Sequence, residues 1–295
     1  MKFQVLGAAA GGGLPQWNCG CANCVAARRG EIAPATQSSL AVSVDGRDWA
    51  ILNASPDIRT QIQNCPALHP TGLRDMPLRA VLVTNGDIDH VAGLLSLREQ
   101  SAFTLYATAD IHALLDGNAV FDAVSRDRVA RRAVALGDDF ELVPGLVARL
   151  FAVPGKVPLF MEGETVETGL VGEQTVGVRL DDGRRVACYV PGCAEVTDDL
   201  RALLSEADHL FFDGTLWRDD EMIALGLGHK TGARMGHVSM SGPEGAMARL
   251  EGLAAGKTFI HINNTNPVWQ PDSPERRAVE AAGWGIAADG MEIAI

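Results

Sequence analysis

The chain reads as short apolar runs separated by turns, and the period of those runs switches repeatedly between two and about 3.6 residues. Residues 2–6 alternate like an edge strand and break into a glycine-rich loop at 7–13, where the backbone approaches a neighbour closely or takes positive φ. Residues 38–44 and 49–53 predict a hairpin through Asp45-Gly46, and Asp57 opens a helix from Ile58. Residues 80–83 form a short buried strand, followed by a polar loop at 84–90 and a helix over 91–100. A strand at 103–107 and a helix at 110–115 come next, then a polar, arginine-rich stretch at 121–132 that suits a solvated helical face or flap. Residues 141–151 alternate again, and 176–180 pairs with 186–190 through Asp182-Gly183. The second half continues with a helix to about Glu206, a strand at 209–212, a glycine-rich loop at 226–241 and a helix over 243–253. A strand at 258–262, a helix from Ser273 and a closing strand at 285–295 complete it. Two halves of similar make-up predict one α+β domain over residues 1–295, two sheets held between helices.

Composition narrows the class of partner. With 47% hydrophobic residues in 295, the chain can fill a large core. A net charge of −12, with no basic stripe, argues against nucleic acid as a partner. There is no apolar run long enough to span a membrane. The apolar start of the chain is short and broken by Gly and Pro, so no secretory signal is expected and the cytoplasm is the expected compartment. The six cysteines then read as thiols or metal ligands rather than a disulfide framework.

Three stretches carry candidate chemistry. Cys19, Cys21 and Cys24 form C-x-C-x2-C, a tight turn that can aim three thiolates at one tetrahedral Zn2+ and staple the loop at about 15–30. Unrelated thiols, or a redox pair at Cys21 and Cys24, are the competing readings. The loop Thr84-Asn-Gly-Asp-Ile-Asp-His90 places Asp87, Asp89 and His90 at a strand's carboxyl end, where α/β folds collect ligands and divalent metals. The alternative is an Asp-rich turn in which Asp89 caps the following helix. Asp213 stands at another strand end, and the glycine-rich loop that holds His229, Lys230, Arg234 and His237 has the make-up of an active-site loop. Cys65, His69, His112, Cys188 and Cys193 are given no role.

Thr84 to His90 followed by Ala92-Gly-Leu-Leu resembles the metal loop of the metallo-β-lactamase superfamily, with Asn85 and Asp87 where that loop carries its first two histidines. His261 resembles the late strand-end histidine of that family. Gly236-His237 resembles the general-acid loop of the branch containing tRNA-processing nucleases and a phosphonate-pathway phosphodiesterase. The phosphodiesterase also has an early three-cysteine zinc site like Cys19, Cys21 and Cys24. The middle family histidine is absent around Pro154–Pro158, Gly192 stands where a bridging Asp is expected, and Asn264 falls at the fourth zinc ligand, which stays open. Within the superfamily, Gly11-Gly-Gly-Leu-Pro-Gln-Trp-Asn-Cys19, Asn53-Ala-Ser-Pro-Asp-Ile-Arg59, Asp213-Gly-Thr-Leu-Trp217 and His261-Ile-Asn-Asn-Thr-Asn-Pro267 resemble the B-protein family of pyrroloquinoline quinone (PQQ) biosynthesis. The resemblance covers nearly the whole chain. It implies a four-layer αββα sandwich and a role in making PQQ, either as a carrier of PQQ or a precursor towards the periplasm or as an iron-dependent hydroxylase of a tyrosine-derived precursor.

The ligand inventory favours the hydroxylase. A two-zinc hydrolase needs about five histidines and a bridging carboxylate. Here His90 and His261 remain as imidazole ligands, with Asp87 and Asp89 as hard oxygen donors. That set suits one Fe2+ with open positions, an ion easily lost or replaced by zinc. His237 is then a proton donor or extra ligand, with Asp213 beside it in the catalytic set. Arg59, Arg98, Lys230 and Arg234 are candidates to grip a multiply carboxylated small-molecule precursor. A homodimer is left open.

Overall fold

The computed structural model describes residues 1–163 and 167–295. The first sheet is built from β1 (Lys2–Gly7), β2 (Ser39–Ser43), β3 (Trp49–Leu52), β4 (Leu78–Leu82), β5 (Phe103–Ala107) and β6 (Val129–Ala133). The second takes β7 (Asp139–Val143), β8 (Leu146–Ala152), β9 (Val176–Asp181), β10 (Val186–Val190), β11 (His209–Asp213), β12 (Gly256–Ile260) and β13 (Trp284–Ile286). Finally β14 (Glu292–Ala294) returns to pair with β1, so each sheet has seven strands. Both sheets are antiparallel over the first part of their order and parallel over the rest, from β3 to β6 and from β10 to β13.

The burial pattern explains why these residues make these strands. β10, and β4 after its exposed Arg79, are buried on both faces and read as apolar runs, as parallel strands between layers do. β8 alternates buried and accessible positions, as a half-solvated antiparallel strand does. Inner-face residues of the first sheet, among them Phe3, Leu40 and Leu52, join Leu150, Leu180 and Phe211 of the second in one core. The Phe3 and Phe211 rings meet 5.0 Å apart across it. The outer face of the first sheet, Ile51, Val81 and Leu105, packs under Ile58 and Ile111 of the helices Ile58–Asn64 and Ala109–Asp116. Helices Asp198–Leu204 and Pro274–Ala281 add Leu200, Leu204 and Val279 to the second sheet. Each such fully buried side chain contributes about 1.5–3 kcal/mol. The result is the αββα sandwich that the resemblance implied. No helix among the described residues is long and apolar enough to cross a membrane.

Four elements differ from the sequence reading. The closing stretch is two strands, β13 and β14, one in each sheet, and β14 covers β1, which is therefore not an edge. Asp289 fixes the turn between them by accepting from Ala8 N at 2.9 Å and Thr36 N at 2.7 Å. Residues 121–132 fold as a short 3-10 turn and the edge strand β6, whose Arg131 turns back to bond Asp116 and Phe121 O while Arg132 stays exposed. The helix expected over 91–100 shrinks to Ile88–Val91 and a 3-10 turn at Ala92–Leu95. The helix expected over 243–253 shrinks to Ala246–Arg249. The two hairpins form as expected, with Gly46 and Gly183 at φ 80° and 79°.

Candidate metal centre

The carboxyl end of β4 delivers the metal loop. Asn53, itself at φ 63°, accepts from Thr84 N at 2.9 Å and donates to Thr84 Oγ1 at 2.9 Å, which fixes where the loop leaves the sheet. Asn85 Oδ1 then accepts from Asp87 N at 3.0 Å. Asp87 occupies the N-cap without a side-chain cap bond, and Asp89 lies in the first helical turn, so Asp89 is not the cap. Gly93 packs directly on the carbonyls of Ala54 and Ser55, and no Cβ fits there. That contact lets Ala54 N donate to His90 O at 2.8 Å and Gly93 N to Ala54 O at 2.9 Å.

His261 arrives from the second sheet, one residue past the end of β12 and at φ 60°. Its Nε2 lies 3.1 Å from Asp89 Oδ2, while His90 Nε2 lies 3.8 Å from the same oxygen. Donor atoms of Asp89, His90 and His261 all fall within 4.8 Å of one another. Among the described residues, neither ring nitrogen of His90 has a hydrogen-bond partner, although the residue is 1% exposed. A buried imidazole without partners is costly unless something else takes its lone pair. A divalent ion held by His90, His261 and Asp89 fits that vacancy in the hydrogen-bond pattern, and two imidazoles with one carboxylate are the donor set of open non-haem Fe(II) sites. Burial, which disfavours the charged ring, lowers His90 to about 4, leaving it a neutral ligand. Burial alone would raise Asp89, but the adjoining His90 and His261 rings and the His261 hydrogen bond hold it below the usual carboxylate range.

Behind His261 sits a hydrogen-bonded chain. Thr215 Oγ1 lies 2.8 Å from His261 Nδ1 and 2.6 Å from Asp213 Oδ1, so His261 donates to the hydroxyl and the hydroxyl donates to Asp213. Asp213 is fully buried yet accepts from Thr215 N at 3.0 Å, Cys193 N at 2.9 Å and His237 Nδ1 at 2.7 Å. Burial would raise its pKa, but the His237 charge and hydrogen bond, with the other donors, lower it. Asp213, His237 and His261 could also surround an ion, yet Asp213 and His237 already satisfy each other. Gly192, opposite, lies 3.6 Å from the His237 ring (measured from where a Cβ would stand) and offers no carboxylate to bridge two ions.

A cavity of about 360 Å3 opens on this centre, lined by Asp87, Asp89, His237, His261, Lys156, Glu162 and Lys230 among others. Asp87 thus faces the cavity but stands outside the clustered donors, its carboxyl raised by burial and by the neighbouring Asp89 charge. Lys230 lines the cavity, and Arg234 reaches Glu162 at 3.2 Å. Arg59 and Arg98 do not join them. Arg59 is exposed on its helix, and Arg98 bonds Leu95 O and Glu99 at the surface. Thr215, Lys156 and Glu162 escaped the sequence reading. The string Asp213-Gly-Thr was visible, but nothing local marks a threonine as the partner of two rings.

The thiols of Cys19, Cys21 and Cys24 also come together. The side-chain amide of Asn264 faces all three, with Nδ2 at 3.2, 3.5 and 3.3 Å from the respective sulfurs. Amide oxygen and nitrogen are exchanged by a half-turn, so Asn264 stands where a fourth zinc ligand belongs. Burial and the adjoining Cys21 sulfur push the Cys24 thiol up to about 11, a crowding that a cation would relieve.

The Beta-lactamase superfamily domain model matches residues 48–262. The chain is 67% identical to a coenzyme PQQ synthesis protein B of Ruegeria pomeroyi over 295 residues, the full length of both. It is 54% identical to the protein of that name from Methylorubrum extorquens over 297 residues, 99% of each chain. Among solved structures it resembles a Zn2+-bound PqqB from Methylobacterium extorquens, 54% identical with a TM-score of 0.98 and both chains covered in full. A diphosphatase from the PhnP family, 21% identical, shares the fold with a TM-score of 0.68, covering 100% of this chain and 97% of its own.

Proposed function

The chain belongs to the coenzyme PQQ synthesis protein B family of the beta-lactamase superfamily, and from that premise we propose that it serves PQQ synthesis as an iron-dependent oxygenase hydroxylating a tyrosine-derived precursor. The observation that carries the proposal is the buried, unpartnered imidazole of His90 beside Asp89 and His261. Those three residues would hold the Fe2+, and a redox-active ion with open positions supplies activation of O2 when bound. One oxygen atom enters the ring C–H bond and the other leaves as water, so each turnover draws two electrons and two protons from an external small-molecule reductant.

The rest is done by the chain. Thr215 and Asp213 fix the His261 tautomer that turns Nε2 towards Asp89. Asp213 holds the Nδ1 proton of His237, which leaves Nε2 of that ring to exchange a proton with a substrate hydroxyl in the cavity. The thiols of Cys19, Cys21 and Cys24, with Asn264, would hold a structural Zn2+ that anchors the loop following His261. A zinc hydrolase is disfavoured by Gly192, and a metal-independent carrier by the unsatisfied His90. Anaerobic and aerobic assays of a synthetic tyrosine-derived precursor, with Fe2+ and ascorbate, test the reading. Hydroxylated product should require O2 and disappear in His90→Ala; product that persists in either control overturns it.

A further inference from the structure

Three cations from two loops converge on one carboxylate at the wall of the metal cavity. Lys156 Nζ lies 3.0 Å from Glu162 Oε1, while Arg234 Nη2 and Lys230 Nζ lie 3.2 and 3.6 Å from Oε2. The Glu162 side chain is only 8% exposed. Burial would raise its pKa, but Arg234, Lys156 and Lys230 hold it down to about 2, so it is a carboxylate at any working pH. The stem of Lys156 passes over Gly236, where a Cβ would stand 3.2 Å from its Cγ, and this bare, positive-φ glycine leads directly to His237. Arg234 lies in the short helix Gly232–Met235 just before it. Lys230 and Arg234 are therefore built into the loop that presents His237, and Lys156 from the other loop packs against it.

A lone exposed ion pair means little; here a half-buried carboxylate is shared by three cations, of which Lys156 is 12% exposed while Lys230 and Arg234, at 43% and 37%, remain open to solvent. Within this cluster, and among the described residues, three positive charges face one negative in a chain whose net charge is −12. Arg234 Nη1 is buried with no hydrogen-bond partner among the described residues. Asp89, which also lines the cavity, is already engaged with His261. The cavity thus carries metal-ligating acid and a cationic cluster together, with Asp87 near enough to feel the Lys156 charge. A ligand that spans it carries carboxylates at one end and its reacting ring at the other.

We infer that Glu162 is a resident occupant of a carboxylate-binding site, and that an aromatic substrate with two or more carboxylates docks by putting one of its own in place of Glu162 on Lys156, Lys230 and Arg234. Exchanging one carboxylate for another is nearly neutral in charge, so affinity comes from the second carboxylate meeting the cationic excess. The inference rests on the oxygenase reading only for the orientation of the ring. Binding itself needs neither iron nor turnover, so the two fail separately.

The test is calorimetric titration of the zinc-loaded full-length chain with isophthalate, a probe with two carboxylates, and with benzoate, which has one. Isophthalate should bind more tightly than benzoate. Glu162→Gln should tighten isophthalate about tenfold by removing the competitor, and Arg234→Met and Lys230→Met should each weaken it about tenfold. Titration of His90→Ala should give the same ranking, which separates the cationic site from any carboxylate bound by metal. Weaker or unchanged binding in a folded Glu162→Gln variant would mean that Glu162 organises the cations rather than yielding to the ligand, and overturns the inference. So does an Arg234→Met variant that binds like the parent.

Discussion

Thr215 Oγ1 stands 2.8 Å from Nδ1 of His261 and, through its own proton, ties that ring to the buried carboxylate of Asp213. Thr215→Val keeps the shape and removes the hydroxyl. The ring of His261 then loses the partner that fixes its tautomer, and a lost outer partner of this kind commonly weakens metal binding about 10–100-fold. Metal titration should show that loss at the Asp89, His90 and His261 centre, while zinc binding at the Cys19, Cys21 and Cys24 cluster is unchanged. Unchanged affinity at the former would refute the role given to Thr215.

Gly93 holds His90 in place by backbone contact with Ala54 and Ser55. Gly93→Ala should lower stability by about 1–3 kcal/mol, the usual penalty of overfilling a packed site. Metal content at the His90 centre should fall with it. Urea unfolding and elemental analysis measure the two effects, and a variant as stable as the parent contradicts the packing argument.

The thiol tripod and the metal centre share a segment, because Asn264 follows His261 by three residues. Cys21→Ser should therefore weaken zinc binding at the thiols and also lower metal affinity at the Asp89, His90 and His261 centre about tenfold, since the loop after β12 loses its anchor. Retention of full affinity at the second centre would show that the loop is held without the zinc.

His209 gives a pH dependence separate from either metal centre. Burial lowers its pKa from 6.5 to about 4, and its Nε2 meets Thr258 Oγ1 at 3.1 Å. The unfolded chain therefore takes up the proton first, so the stabilising contribution is intact above about pH 6.5 and is lost as pH falls towards 4. Its share of the slope is at most about 1.4 kcal/mol per pH unit. Chemical denaturation at pH 7 and pH 5 should show a smaller difference for His209→Gln than for the parent; an equal difference removes His209 from the explanation.

Much of this was legible because it is local. The alternation of β8, the Asp-Gly hairpins and the C-x-C-x2-C spacing are written in consecutive residues, and so is the meeting of Asp89 and His90. The pairing of His261 with Asp89 bridges 172 positions, and only the family resemblance pointed to it. Lys156 sat in a loop notable for lacking a histidine, and Glu162 has no flanking pattern at all; their meaning is the charge each finds in the other. Residue type marks Arg59 and Arg98 as candidates but does not say which way a side chain faces, and both are exposed. The last stretch misleads because its apolar pattern continues across a turn whose Asp289 is held by the distant Ala8 and Thr36, sending its two ends to different sheets.

Asp89 and His90 hang from one sheet and His261 from the other, so the seat for the ion comes into being only when both slabs have closed on each other. A chain arrested with a single slab complete would present too few donors to resist a mild chelator. Retention of a cation at this seat would therefore work as a hallmark of finished assembly.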